Sequence, residues 1–386
     1  MLRFLPLCSA LALIGCYEDH GLRGAAPEAP DAGPAVDCVE VPADDPEVVR
    51  PEKVDLLLMV DNSNSMNEEQ GSLARSLPGF VRALVSGDAD LDGRVDFAPV
   101  GSLHVAVVTS DMGTGAHEVP TCEDARFGDD GVMRPANTAL DGCAPDDAPF
   151  LTFEPGGDES VDAFAARAAC RTNVGTGGCG FEQQLEAALK AVTPSTSPIR
   201  FFGDSVGHGD GANAGFLRED SILAVVVVTD EDDCSARDPD LYDSDAAAYR
   251  DTDLNLRCNL HRDALYGVWR YVAGLISLRE REPGRLVYAT IAGIPSDLSG
   301  EPEAVSLLDL RLEERVNPDM SNRLLPSCDV TGRGQAFPPR RLLEVGQRLR
   351  EAGARTTHIS ICQEDFSPAV ALVLEEIRAA ARPVCE

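Results

Sequence analysis

Basic residues are scarce in this chain of 386: 33 Lys and Arg stand against 65 Asp and Glu, a formal charge of −32. A field of that sign repels phosphate backbones and anionic headgroups, which argues against nucleic acid as a partner and favours cations and basic surfaces. After the first residues there is no apolar run near the roughly 20 residues that cross a bilayer; the stretch at 222–228 is far shorter. No two cysteines stand at CxxC spacing, so neither a zinc knuckle nor a thioredoxin-type pair is expected. The six histidines, His20, His104, His117, His208, His261 and His358, form no pair at ligand spacing. No nucleophile elbow, P-loop or H-E-x-x-H is read, so the common hydrolase chemistries have little support.

The first residues supply a secretory signal: Arg3, a short apolar stretch, then a small residue before Cys16. Residues 1–15 are expected to be removed. Leu13-Ile14-Gly15-Cys16 resembles the lipobox of bacterial lipoproteins, which implies that Cys16 is acylated and becomes the mature N-terminus. Tyr17, rather than aspartate, follows it, and in that family this favours the outer membrane. The resemblance thus implies a bacterial cell-envelope protein held to its membrane by lipid alone. Residues 16–51 are rich in Ala, Pro, Asp and Glu and read as a solvated tether. With Cys8 lost and Cys16 lipidated, ten of the twelve cysteines remain, enough for five disulfides in an oxidising compartment. Spacing does not reveal how Cys38, Cys122, Cys143, Cys170, Cys179, Cys234, Cys258, Cys328, Cys362 and Cys385 pair.

From 52 to 386 the pattern is that of one α/β domain. Short β-branched runs bounded by charge, at 54–60, 103–109, 222–229 and 286–292 with a weaker one at 356–361, suit strands buried on both faces of a parallel sheet. Between them, 68–85, 181–192, 260–281, 339–352 and 368–381 carry apolar residues at the intervals of amphipathic helices. The alternation predicts a doubly wound, mostly parallel sheet flanked by helices. Two stretches rich in Gly, Asp, Pro and Cys, about 113–180 and 232–259, interrupt it and read as disulfide-stapled insertions.

In such sheets ligands lie at the carboxyl ends of the strands. Two strands there run into oxygen donors, one into Asp61-Asn62-Ser63-Asn64-Ser65 and the other into Thr229-Asp230-Glu231-Asp232-Asp233. One aspartate with two hydroxyls suits a hard cation such as magnesium, which takes one or two carboxylates and keeps several waters. The first string matches the DxSxS motif of von Willebrand factor A domains, and Val228-Thr229-Asp230 matches the second aspartate at the end of their central strand. The chain resembles that family over about 52–383, and the resemblance implies its Rossmann-like sheet with a metal-ion-dependent adhesion site for Mg2+ or Mn2+. Carried over, Asp61, Ser63 and Ser65 would hold the ion, and Asp230 would act through water. A loop threonine would complete the set: Thr176 is the candidate, although the Gly-Gly-Cys after it departs from the family pattern, and Thr172 or Glu182 stand as alternatives. The family leaves one position on the metal for an acidic side chain of a protein partner, so the resemblance implies a binding module and not an enzyme. Asp232 and Asp233 read as a solvated loop.

Other readings stand beside this one. Asp88, Asp90, Asp92, Gly93 and Asp96 fall on positions of an EF-hand-like calcium loop, but Pro99 replaces its bidentate glutamate, so the segment is a weak Ca2+ clamp or an acidic turn. Aspartates at strand ends also serve metal-assisted hydrolases, for which His208 between glycines is a candidate loop base. A structural envelope protein with a vestigial metal site is the third class. Asp61→Ala is expected to abolish cation binding and spare the fold, because the residue lies on a loop.

Overall fold

The computed structural model describes residues 52–88, 92–95, 97, 99–115, 117–138, 142–300, 305–331 and 334–381, with the backbone of 39–40 and 384–385. The secretory signal, Cys16 and the rest of the expected tether lie outside the described residues. At the chain's two ends β1 (Val39–Glu40) pairs in parallel with β10 (Val384–Cys385).

The main sheet joins β2 (Lys53–Val60), β3 (Ser102–Thr109), β4 (Leu151–Phe153), β5 (Ile222–Val228), β6 (Leu286–Ala292) and β9 (Arg355–Ser360) in the order β4-β3-β2-β5-β6-β9. Every neighbouring pair is parallel except β4 on β3, an antiparallel edge. The five predicted strands are present to within a residue at each end. Only a strand covered on both faces tolerates such continuous apolar runs, and side chains alternate between the two cores. Leu56, Leu58 and Val60 face one core, with Val105, Val107, Val226 and Val228, and Leu57 and Met59 face the other, with Val108, Val225 and Val227.

The first face is covered by α1 (Asn67–Ser86), α2 (Val161–Thr172) and α7 (Ser367–Ala380), and the second by α3 (Gln184–Val192), α5 (Trp269–Ser277) and α6 (Arg340–Glu351). A one-turn helix, α4 (Arg257–Leu260), precedes α5. The expected α/β sheet with helices on both faces is therefore present, and α1 shows why. Leu73, Leu77, Phe80, Val81 and Leu84 recur at helical spacing and are buried to within a few per cent, each side chain contributing about 1.5–3 kcal/mol by leaving water.

Two local expectations are corrected, and one further feature was not expected. The helix expected over 260–281 occupies only 269–277, because residues 261–268 bond back to the chain before them: the Arg237 N–H donates to the Ala264 carbonyl and the Tyr266 N–H to the Ser235 carbonyl. The helix expected from 181 begins at Gln184, since the Gln183 N–H is drawn to the Ser110 carbonyl. Third, the region between β6 and α6 is a further insertion that its composition did not mark. It holds a hairpin of β7 (Cys328–Val330) and β8 (Gly334–Ala336), tied by the Cys328–Cys362 disulfide to the segment after β9.

The two expected insertions are stapled, and each carries a buried arginine. Cys122–Cys179 and Cys143–Cys170 close the first, where Arg171 donates to the Arg134, Ala148 and Pro149 carbonyls. In the second, closed by Cys234–Cys258, Arg257 donates to the Leu241, Asp243 and Thr252 carbonyls.

Candidate cation-binding site

Register aligns three strand ends. Val60 pairs with Thr109 on one side and with Val228 on the other, so Asp61, Ser110 and Thr229 follow side by side at the carboxyl edge of the sheet. Here the chain's strands diverge from β2 to either side, where an open α/β sheet presents its crevice. Asp61 is fully buried. Its Oδ1 accepts the Ser63 N–H at 2.8 Å and the Ser110 hydroxyl at 3.0 Å, and its Oδ2 accepts the Thr229 hydroxyl at 2.6 Å. Gln184 donates to that threonine oxygen at 2.9 Å. Beyond Asp61, the Ser63 and Ser65 hydroxyls stand 3.3 Å apart.

A third segment, 174–180, closes on this loop. Gln70 of α1 donates from one Nε2 to both the Asp61 and Gly175 carbonyls at 2.8 Å, and the Gly178 N–H donates to the Asn62 carbonyl at 2.9 Å. Thr176 lies between those two anchors and is partly exposed. The glycine at 178 answers a close approach: a Cβ there would stand 2.2 Å from Asn62 Oδ1. Cys179 is held by its bond to Cys122, so the Gly-Gly-Cys departure has a local cause. Of the two alternatives, Thr172 turns its hydroxyl onto the Ala169 carbonyl at the end of α2. Glu182 is buried and lines the cleft beside the loop.

Four carboxylates crowd this edge. Asp230 is 5 % exposed, and among the described residues its Oδ1 has no hydrogen-bond partner. Burial, then the charges of Asp61 and Glu231, hold it well above the usual carboxylate range, and the Ser65 hydroxyl offsets part of that. Glu182 is likewise held well above it by burial and then by Glu231, Asp61 and Asp230. Burial followed by Asp61 pushes Glu231 up to about 7, against the opposing charge of Arg323. Burial also raises Asp61, although the hydroxyls and N–H that surround it favour its charged form. Like charges gathered in a low-dielectric site repel unless protons or a cation neutralise them.

The residues fit a small hard cation. The donors are oxygens, and one buried carboxylate oxygen has no partner. No three His, Cys, Asp or Glu side chains among the described residues are grouped to chelate an ion by themselves, so any ion here would have to draw on hydroxyls as well. That is the donor set of an ion taking one or two carboxylates with hydroxyls and water.

Other expectations are placed elsewhere. Asp232 and Asp233 are not a solvated loop: Asp232 accepts the Arg341 and Leu342 N–H groups at the start of α6, and Asp233 accepts the Leu185 N–H at the start of α3 and pairs with Arg341. In the calcium-like loop, Asp88 accepts the Asp92 and Gly93 N–H groups and Asp92 accepts that of Arg94, bonds that a calcium clamp and an acidic turn share; Asp90 and Asp96 lie outside the described residues. His208 places Nε2 3.0 Å from Asp130 Oδ2, and Lys190 donates to Asp130 Oδ1 at 2.6 Å. The string Gly203-Asp204-Ser205-Val206-Gly207 has the G-x-S-x-G spacing of a hydrolase signal. It is no nucleophile elbow, which requires a strand–turn–helix: Ser205 follows a 3₁₀ turn, donates to the Phe202 carbonyl, and meets a lysine already paired with Asp130 instead of a free base. Ser110, Gln70 and Gln184 join the site without having been expected there, and Glu231 stood in the acidic string without being assigned to the site. The polar Ser110-Asp111 directly after an apolar strand was the signal available for Ser110.

A scan against protein-family models finds no match, and a search of curated proteins finds no relative.

Proposed function

We propose that this chain is a lipid-anchored, extracytoplasmic binding module of the von Willebrand factor A type, located in a bacterial outer membrane, that captures a protein partner through a divalent cation. Asp61, Ser63, Ser65 and Thr176 are the residues to hold Mg2+ or Mn2+, with Asp230 orienting a water. When bound, the cation supplies a Lewis-acid position for an acidic side chain of the partner. The protein's part is to hold the Asp61 loop rigid through Ser110, Thr229 and Gln70, and to hold Asp230 buried beside the Ser65 hydroxyl. The observation that carries the reading is Asp230 itself, a buried carboxylate with an oxygen that has no partner, facing the Ser65 hydroxyl at the end of the central strand. A buried unpaired charge is costly, and a cation beside it removes that cost.

The test is a calorimetric titration of magnesium and manganese into the chelator-stripped, oxidised full chain beside Asp61→Asn, which keeps the side chain's size and one acceptor oxygen. Saturable heat in the parent and none in the folded variant is expected. A folded parent that gives no heat with either ion would refute the adhesion-type reading.

A further inference from the structure

A cleft of about 370 Å³ opens beside the proposed cation position, far larger than one coordinated ion needs. Its polarity is divided. Glu182 and Glu231 contribute carboxylates, while Phe181, Leu254 and Phe337 contribute apolar wall. Glu182 is 4 % exposed, and among the described residues its carboxylate accepts only its own backbone N–H. The cleft's buried cation, Arg341, cannot neutralise it: the guanidinium is tied to Asp233 at 3.1 Å and to the Tyr266 carbonyl at 2.8 Å. Arg323 is exposed and stands near Glu231. A buried carboxylate without a cationic partner, at an opening of side-chain size that has apolar residues in part of its wall, points to a ligand that is cationic at its tip and apolar along its stem.

We infer that this cleft receives an arginine side chain of the partner, its guanidinium facing Glu182 and Glu231 and its methylene stem lying against Phe181 and Phe337. The inference deepens the proposed function and rests on its reading that the carboxyl edge of the sheet is the partner-binding face. A second divalent ion is the weaker occupant, since no three carboxylates among the described residues are grouped to chelate one and calcium would need six or more oxygens. Arginine is favoured over lysine because a planar fork can reach two separate carboxylates and stack on phenylalanine, whereas an ammonium is a compact, strongly hydrated point charge. A partner presenting both an acidic and a basic side chain would engage the ion and the cleft together.

The experiment uses the oxidised full chain, with and without magnesium, and three probes: acetyl-Gly-Gly-Arg-Gly-Gly-amide, its lysine counterpart, and its citrulline counterpart, the neutral isostere of arginine. Saturation-transfer NMR reads affinity and the protons in contact. The expected result is saturable binding of the arginine peptide through its stem methylenes. Citrulline should bind about tenfold more weakly, and Glu182→Gln or Glu231→Gln should each lose about tenfold for the arginine peptide, the scale of one charge-assisted hydrogen bond. Equal binding of arginine and citrulline, or of arginine and lysine without saturation, would overturn the inference in favour of general attraction to an acidic chain. Loss of the magnesium heat in a folded Glu182→Gln would also overturn it, because Glu182 would then be a cation ligand, and the adhesion reading would survive. Conversely, arginine binding in a parent that ignores magnesium would keep the cleft and discard the adhesion reading. The citrulline comparison needs no variant and decides the matter even if neither glutamine variant folds.

Discussion

At the scale of single residues, the site is a balance between carboxylates that are satisfied and carboxylates that are not. Asp61 accepts three hydrogen bonds in full burial, so the expectation that Asp61→Ala spares the fold does not follow from its loop position. Truncation leaves those donors without an acceptor, at about 1–3 kcal/mol for each group stranded away from water. Urea unfolding of the metal-free protein should show Asp61→Ala clearly less stable than Asp61→Asn; equal midpoints would mean that the donors find water. Asp230 is the opposite case. Replacing a buried carboxylate, one oxygen of which has no partner, with an amide removes a like charge from beside Asp61 and Glu231, so metal-free Asp230→Asn should be more stable than the parent by about 1–3 kcal/mol. The same variant should bind magnesium more weakly, and a destabilised metal-free protein would count against the electrostatic account. Asp61, Ser63, Ser65 and Asp230 were legible because they are near neighbours in sequence or follow a strand directly. Ser110 and Gln70 were not, because what makes them site residues is a contact across the sheet or from a helix.

Elements show where pattern and packing part company. In α6 Gly346 sits mid-helix, where alanine would ordinarily be the better residue by nearly 1 kcal/mol. A Cβ there would lie 2.3 Å from His358 Cε1 on β9. That histidine is buried, its Nδ1 2.8 Å from the Thr290 hydroxyl, and burial pushes its pKa down to about 4, so it packs as a neutral ring. Overpacking therefore outweighs propensity, and Gly346→Ala should lower stability by about 1–3 kcal/mol in thermal or urea unfolding; a stabilised variant would show that the ring can move aside. Nothing in the helical period of 340–351 marks that glycine, whereas the buried strands announced themselves by unbroken apolar runs. The shortened helix at 269–277 teaches the same lesson, since backbone partners at 235–238 won residues that a period alone assigned to the helix.

For the whole molecule, the crowded carboxylates set an unusual response to pH. Glu231 and Asp232 are both raised to about 7 from ordinary values of 4.5 and 3.8, the second by burial and then by Glu314. A carboxylate raised in the folded state binds its proton more readily there than in the unfolded chain. Its contribution is fully present below the unfolded value and is lost as pH rises through about 7. His358 works the other way, since its neutral folded form is disfavoured as pH falls from 6.5 towards about 4. It is one group against several: Glu231 alone spans a shift worth roughly 3 kcal/mol at about 1.4 kcal/mol per pKa unit. The metal-free protein should therefore melt at lower temperature at pH 8 than at pH 6, and saturating magnesium should close most of that gap. A melting temperature that rises with pH in the metal-free protein would mean that the carboxylates are not coupled as described.

The sequence by itself determined the alternation of buried strands with amphipathic helices, the acidic character of the chain, and the two oxygen-rich strand ends. All of these are local, carried by side-chain period and by residues a few positions apart. Tertiary structure alone decided the rest. The register Val60↔Val228 and Val60↔Thr109 brings Asp61, Thr229 and Ser110 into one cluster. The disulfide pairing, the Cys328–Cys362 tie on the β7–β8 hairpin, and the isolation of Glu182 from any buried arginine likewise depend on which distant segments pack together. Burial then sets these acidic residues apart from ordinary ones, because the absence of water, which no local pattern encodes, is what makes their carboxyl groups hold protons more tightly.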